Sequence, residues 1–223
     1  MGRIATYIEF LKKIKVVDFI YLNYICKSVI RTDNSKLIPY KNTVIELAPD
    51  AKIFLKGGDI EIGCNLLKRS KAETRLRIGE GAIWCSAGGC KVSYGSTIEL
   101  LDGAVFDTGY FTMNCNSALV SAKRIVLGND VMISRNVVIY DSDFHSIVDE
   151  QGKTKNQPKA VCVRDHVWIG ANVIILKGST IGDDCIIGAG AIVNQPVPEN
   201  SIYHSYGEKR INILKGSWIR KAP

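Results

Sequence analysis

The residues whose chemistry stands out lie in one short segment, Asp141-Ser-Asp-Phe-His145. His145 is one of only three histidines in 223 residues. Asp141 and Asp143 precede it at i−4 and i−2. An imidazole titrates near neutral pH, so it can take the proton of a weak acid such as an alcohol. A carboxylate on one ring nitrogen would fix its tautomer and steady the imidazolium, and Asp143 is the favoured partner. Both aspartates equally suit a plain turn, where Asp is common. Asn114 and Asn116, in Phe-Thr-Met-Asn-Cys-Asn, add side-chain amides, and their alternative role is again a chain corner. Cys115 between them reads as a small inward residue rather than a nucleophile. His166 reads as a solvated turn residue, and His204 lies in the tail.

The elements that must position these groups follow from a repeat. Val163, Ile169, Ile175, Ile181, Ile187 and Val193 recur every six residues. Four positions after each of the first five come small residues, Val167, Val173, Ser179, Cys185 and Ala191. Leu127, Ile133 and Ile139 keep the same step. A strand alone gives period two and a helix 3.6, so six is one short strand plus one turn. Three such units close a triangular coil of about eighteen residues, and stacked coils form a parallel β-helix. The large aliphatic points inward, the small residue fits near a corner, and Gly or Asn there supplies the unusual backbone angle. The rhythm stops after Ile139 and resumes near Val161 or Val163, so the polar segment at about 140–160 is an ejected loop. Loops on a regular scaffold are where function concentrates.

Residues 1–30 lack proline, carry no glycine after Gly2 and read as helix, with lysines off the apolar face. The expected organisation is a helical extension over 1–40, a β-helix domain over 41–200 and a tail over 201–223. The helix and the segment after Pro198 would cap the prism ends. Phe19, Tyr21, Leu22, Tyr24 and the neighbouring lysines could pack on protein or rest on a membrane surface. Apolar residues make up 46% and charged residues 23%, the balance of a globular protein. The net charge of +7 suits an anionic partner, but no basic cluster interleaved with aromatics points to nucleic acid. Seven cysteines, without a Cys-x-x-Cys pair, suit a reduced cytoplasmic chain. No signal-peptide pattern and no membrane-spanning run is evident, so the expected location is the cytoplasm or the inner face of the membrane.

The block IGANVIILKGSTIGDDCIIGAGAIV resembles the hexapeptide-repeat acyltransferases. The resemblance covers roughly residues 44–200 and implies an all-β fold, a left-handed parallel β-helix. The D-x-D-x-H-x-I wording resembles the bacterial polysaccharide, capsule and O-antigen O-acetyltransferases. It implies acetyl-CoA-dependent transfer of an acetyl group to a glycan hydroxyl, with His145 as general base and no metal. It implies a homotrimer holding acetyl-CoA between neighbouring prisms. By the same resemblance, Asn116 falls at an active-site asparagine, and Asp141 and Asn114 approach the acceptor. Trp168 lines the groove near the pantetheine arm or the acceptor, and Gly170, Ala171 and Ala189 meet the pantetheine chain. Lys209 and Arg210 face the CoA phosphates, although Ser205-Tyr-Gly-Glu208 departs from the usual Gly-Asn-Pro-Ala. The alternatives are an N-acyltransferase acting on an amino-sugar nucleotide and a non-catalytic scaffold. A β-helix metalloenzyme of the carbonic anhydrase type needs three histidine ligands, two of them close in sequence, and that spacing is missing.

Overall fold

The computed structural model describes residues 3–206, 211–213 and 216, with side chains from residue 8 onward. Short parallel strands stack into three sheets that are visited in turn. The first face runs from Val29–Arg31 through Arg124–Leu127 and Val161–Val163 to Thr180–Ile181. The second runs from Leu37–Pro39 through Phe111–Met113, Val131–Ile133 and Trp168–Ile169 to Ser201–Tyr203. The third runs from Thr43–Leu47 through Ala118–Ser121, Val138–Tyr140 and Ile174–Ile175 to Ile192–Val193. The parallel ladder thus extends past both residue 41 and residue 200.

The six-residue rhythm translates directly into burial. All six aliphatics from Val163 to Val193 are fully buried, and so are the five small residues between them. Val163 pairs with Ile181, Ile169 with Ile187 and Ile175 with Val193, so three hexapeptides make one turn of the coil in each case. Left-handed backbone falls three positions after each of the first five aliphatics, at His166, Asn172, Gly178, Asp184 and Gly190. The glycines directly after the aliphatics have a different task. A Cβ on Gly170 would lie 2.7 Å from the backbone nitrogen of Ala189, so the next coil requires its absence.

Toward the N-terminus the coils are wider. Trp84 pairs with Phe106 and Val92 with Met113, each a longer step than three hexapeptides allow. Four-residue strands there, such as Ile83–Ser86 and Val105–Thr108, turn two side chains inward instead of one. Trp84, Phe106 and Phe111 fill the larger section, with ring centroids 5.2 to 6.5 Å apart. The Trp84 indole N–H donates to the Thr108 hydroxyl at 3.1 Å, which satisfies a buried donor.

The N-terminal extension is two helices, α1 (Arg3–Lys13) and α2 (Val16–Tyr24), rather than one. The break is physical: Ile14 is buried and pairs as an antiparallel bridge with Tyr40. The Lys15 amide donates to the Pro39 carbonyl at 2.8 Å, stitching the junction to the second face. Helix α2 closes the prism. Leu22 enters the core, and the Asn23 side chain donates to the Leu37 carbonyl at 2.7 Å and accepts from the Leu37 amide at 3.0 Å. Asn23 therefore bonds the end strand as another strand would, which protects an open sheet edge. At the other end Ile211–Ile213 pairs antiparallel with Ser201–Tyr203 and ends the parallel order. All seven cysteines are free thiols.

Candidate active site

The ejected loop leaves the edge between the third and first faces. Leu127 pairs with Val163 and Ile139 with Ile175, so this coil contains twice the length of the regular coils that follow it. Two carboxylates anchor the loop where it leaves. Asp141 is fully buried and accepts from the Ser121 hydroxyl and from the amides of Ala122, Lys123 and Arg124, at 2.7 to 2.9 Å. These donors belong to the same edge one coil earlier. The resemblance places Asp141 at the acceptor, but its burial and its four donors leave it no surface for one.

Asp143 reaches the opposite way, to the following coil. Its carboxylate pairs with the Lys177 ammonium and accepts from the Asn156 amide at 2.7 Å. The Lys177 hydrogen bond, then that of Asn156, holds the Asp143 carboxyl below the usual carboxylate range. Asn156 also donates to the His145 carbonyl at 2.8 Å and accepts from the Ile147 amide at 2.7 Å. The expected bond from Asp143 to the imidazole is not made. Asp143 holds the backbone that carries the imidazole instead, with Lys177 and Asn156 both on its Oδ2.

His145 stands exposed on this clamped arc, and its ring has no hydrogen-bond partner among the described residues. Phe144 beside it adopts left-handed backbone, φ 58°, and packs edge-on against Tyr140 at 5.2 Å. A bulky residue in that region is strained, and such strain concentrates at functional sites. Beyond the arc, Val148 and Thr154 bridge a small hairpin, and Ile147 and Val148 lie exposed.

The remaining predicted residues gather on another edge, between the second and third faces. Asn114 and Asn116 flank Cys115 at one corner. Asn116 is exposed with φ 60°, while the Asn114 side chain caps the Cys115 amide at 2.9 Å. Both have a corner role, and Cys115 is buried. Two coils on, Trp168 faces outward, 38% exposed, and its indole donates to the Ser134 hydroxyl at 3.3 Å. Ala171 and Ala189 stand at successive corners of this edge, joined by the Gly190 amide donating to the Ala171 carbonyl at 2.8 Å. A strip of small residues beside an indole suits a narrow, flexible chain. Gly170 is buried beneath it. Lys209 and Arg210 lie outside the described residues.

Within one chain, then, the structure keeps the imidazole and the Asn–Trp–Ala cluster on two edges of the prism, with the third face between them. The histidines themselves fall on three different edges. His166 is not simply solvated: it is a corner residue whose Nδ1 lies 2.7 Å from Asp184 in the next coil. Lys177 and Asn156 escaped the sequence reading. Lys177 precedes the corner glycine Gly178 in an ordinary turn, and Asn156 sits in polar sequence with no period.

The profile of the bacterial transferase hexapeptide family (six repeats) matches residues 163–195. The galactoside O-acetyltransferase of Lactococcus lactis is 39% identical over 98 residues, 44% of this chain and 46% of that protein. The polysialic acid O-acetyltransferase of Escherichia coli O1:K1 is 36% identical over 76 residues, 34% of this chain and 25% of that protein. The chain thus spans about half, or less, of the length of these relatives. Among solved structures, the polySia-specific acetyltransferase NeuO matches 87% of this chain and 90% of its own, with 23% identity and a TM-score of 0.52. An N-acyltransferase from Bacillus cereus, AntD, solved with dTDP and 3-hydroxybutyryl-CoA, matches 87% of each chain at 17% identity and a TM-score of 0.50. These likenesses in structure show a shared fold. With a three-faced parallel ladder, corners set by left-handed residues and a strict six-residue core over the segment that matches the bacterial transferase hexapeptide model, the chain has the fold of a left-handed β-helix.

Proposed function

We propose that the protein transfers an acetyl group from acetyl-CoA to a sugar hydroxyl of a bacterial surface glycan or its precursor. The observation that carries this reading is His145, an unpartnered imidazole on a clamped loop pushed out of the prism. A sugar hydroxyl is too weak an acid to attack unaided at neutral pH, and an imidazole is the matching base. His145 takes the hydroxyl proton as the oxygen attacks the thioester carbonyl carbon. Backbone amides at a coil corner stabilise the oxyanion. Collapse expels the CoA thiolate, which recovers the proton from the imidazolium. No bond to the enzyme forms.

Trp168, Ala171 and Ala189 would flank the pantetheine arm, Asn116 and Asn114 the reacting centre, and Lys209 and Arg210 the CoA phosphates. Asp143 acts as a positioning residue through Asn156. Because base and groove occupy different edges, the site is complete only when one prism's loop meets a neighbour's groove. Contacts between unlike surfaces close into rings, and the family resemblance supplies the number three. The names of the galactoside and polysialic acid O-acetyltransferases support a sugar acceptor. The shared fold with AntD keeps N-acylation of an amino-sugar nucleotide as the second reading. The cysteine usage supports a cytoplasmic site of action, and the outward face of α2 supports contact with the inner membrane surface.

The test is acetyl-CoA turnover over a panel of glycan acceptors, comparing wild type with His145→Ala. The expected loss is about 100- to 10,000-fold, the usual contribution of a general base. Undiminished turnover in the variant would remove His145 from the mechanism.

A further inference from the structure

A second excursion of the chain lies on the same edge as Asn116 and Trp168. Ile62 pairs with Val92 on the second face, a markedly longer step along the chain than the next one, from Val92 to Met113. The extra length is the segment 65–73, which emerges between the second and third faces. It is held in place. The Asn42 side chain donates to the Ser70 carbonyl at 3.0 Å, the Ser70 amide donates to the Leu67 carbonyl at 2.9 Å, and Arg69 sits in left-handed backbone, φ 68°.

Between this loop and α1 opens a cleft of about 840 Å³. Six cations and two carboxylates line it. Both carboxylates are engaged: Glu9 pairs with Lys12 at 2.8 Å, and Glu61 pairs with Lys91 at 3.3 Å. Lys13, Lys41, Lys68 and Arg69 have no ion-pair partner within 4.0 Å among the described residues. Four uncompensated cations around a concave surface favour an anion, and their spread over neighbouring coils suits charges repeated along a chain.

The position of the cleft gives it a use. Neighbouring strands lie about 4.8 Å apart, so the strand Ile60–Cys64 is about 10 Å from Phe111–Met113, which leads into Asn114 and Asn116. The donor groove of Trp168, Ala171 and Ala189 lies beyond that corner, toward the C-terminus. An acceptor entering the transfer point from the other side would run along this edge into the cleft. We infer that the cleft binds the anionic part of an extended acceptor, and that the acceptor is an acidic oligosaccharide carrying a charge on successive sugars. The direction of the acceptor rests on the proposed transfer reaction, whereas the anion site stands on the cleft itself.

Direct binding separates the two. Isothermal titration without acetyl-CoA would compare an acidic oligosaccharide, a neutral one of equal length and a nucleotide diphosphate sugar. The wild type is expected to bind the acidic chain at least ~10-fold more tightly than the neutral one, with affinity falling as salt rises. The triple variant Lys41→Gln, Lys68→Gln, Arg69→Gln is expected to lose at least ~10-fold of that affinity while keeping its melting temperature. His145→Ala is expected to retain the binding, so failure of the transfer reading leaves this result intact. Equal binding of acidic and neutral chains, or undiminished binding by the triple variant, overturns the anion site. Preference for the nucleotide diphosphate sugar overturns the oligosaccharide assignment.

Discussion

At the scale of single residues, the two aspartates before His145 divide one task. Asp141 ties the loop to the preceding coil and Asp143 ties it to the following one, through Lys177. The pair explains how an exposed histidine can keep a defined position without a bond to its ring. The Asp143 carboxyl is held below the usual range by Lys177 and Asn156. Its folded-state pKa is depressed, so its contribution is present above the unfolded value, near pH 4, and is lost as pH falls through the folded one. Protection of the amides over 142–157, taken relative to their intrinsic exchange rates, should therefore persist from neutral pH down into the ordinary carboxylate range and fall only below it. Asp143→Asn should show fast exchange already at pH 7. Slow exchange in that variant would mean that the ion pair does not hold the loop. The sequence put both acids beside His145 but not what they bond, because Lys177 and Asn156 lie 34 and 13 residues from Asp143.

Among the elements, legibility followed geometry. Where a strand contributes one inward side chain, core positions recur strictly and spacing alone reveals the coil, as from Val163 to Val193. Where strands contribute two, as at Trp84 with Ser86, coil lengths vary and the period dissolves. The ejected loop was readable as an interruption of a rhythm. The loop over 65–73 was not, since no rhythm surrounds it. Helix α2 shows a partial reading of another kind. Of the residues expected to pack on protein or rest on a membrane, Leu22 is core, while Tyr24 and the neighbouring Val17 and Ile25 are 64%, 79% and 65% exposed. A terminal cap normally turns a polar face outward. Flotation with vesicles containing anionic lipid should carry the wild type upward, and Val17→Asp with Ile25→Asp should leave it at the bottom. Equal flotation of both would assign that face to something other than lipid. Among the described residues no helix is long and apolar enough to cross a membrane.

For the whole molecule, the proposed reaction makes assembly part of the chemistry, because His145 and the Trp168 cluster stand on two different edges. Ile147 and Val148 on the loop are 62% and 56% exposed, a small apolar surface aimed away from the prism. Sedimentation should find a trimer for the wild type, and Ile147→Asp with Val148→Asp should yield monomers without turnover but with an intact fold. A fully active monomer would defeat the shared site. The change in girth along the axis has a mechanical consequence. Each coil holds its neighbours only, so a molecule pulled from its two ends yields one coil at a time. An extended chain releases about 3.5 Å per residue, so the narrow coils would lengthen the tether by about 60 Å, the wide aromatic ones by about 75 Å and the one bearing His145 by about 125 Å. The unequal steps form a ruler along which the ejected loop is its own mark.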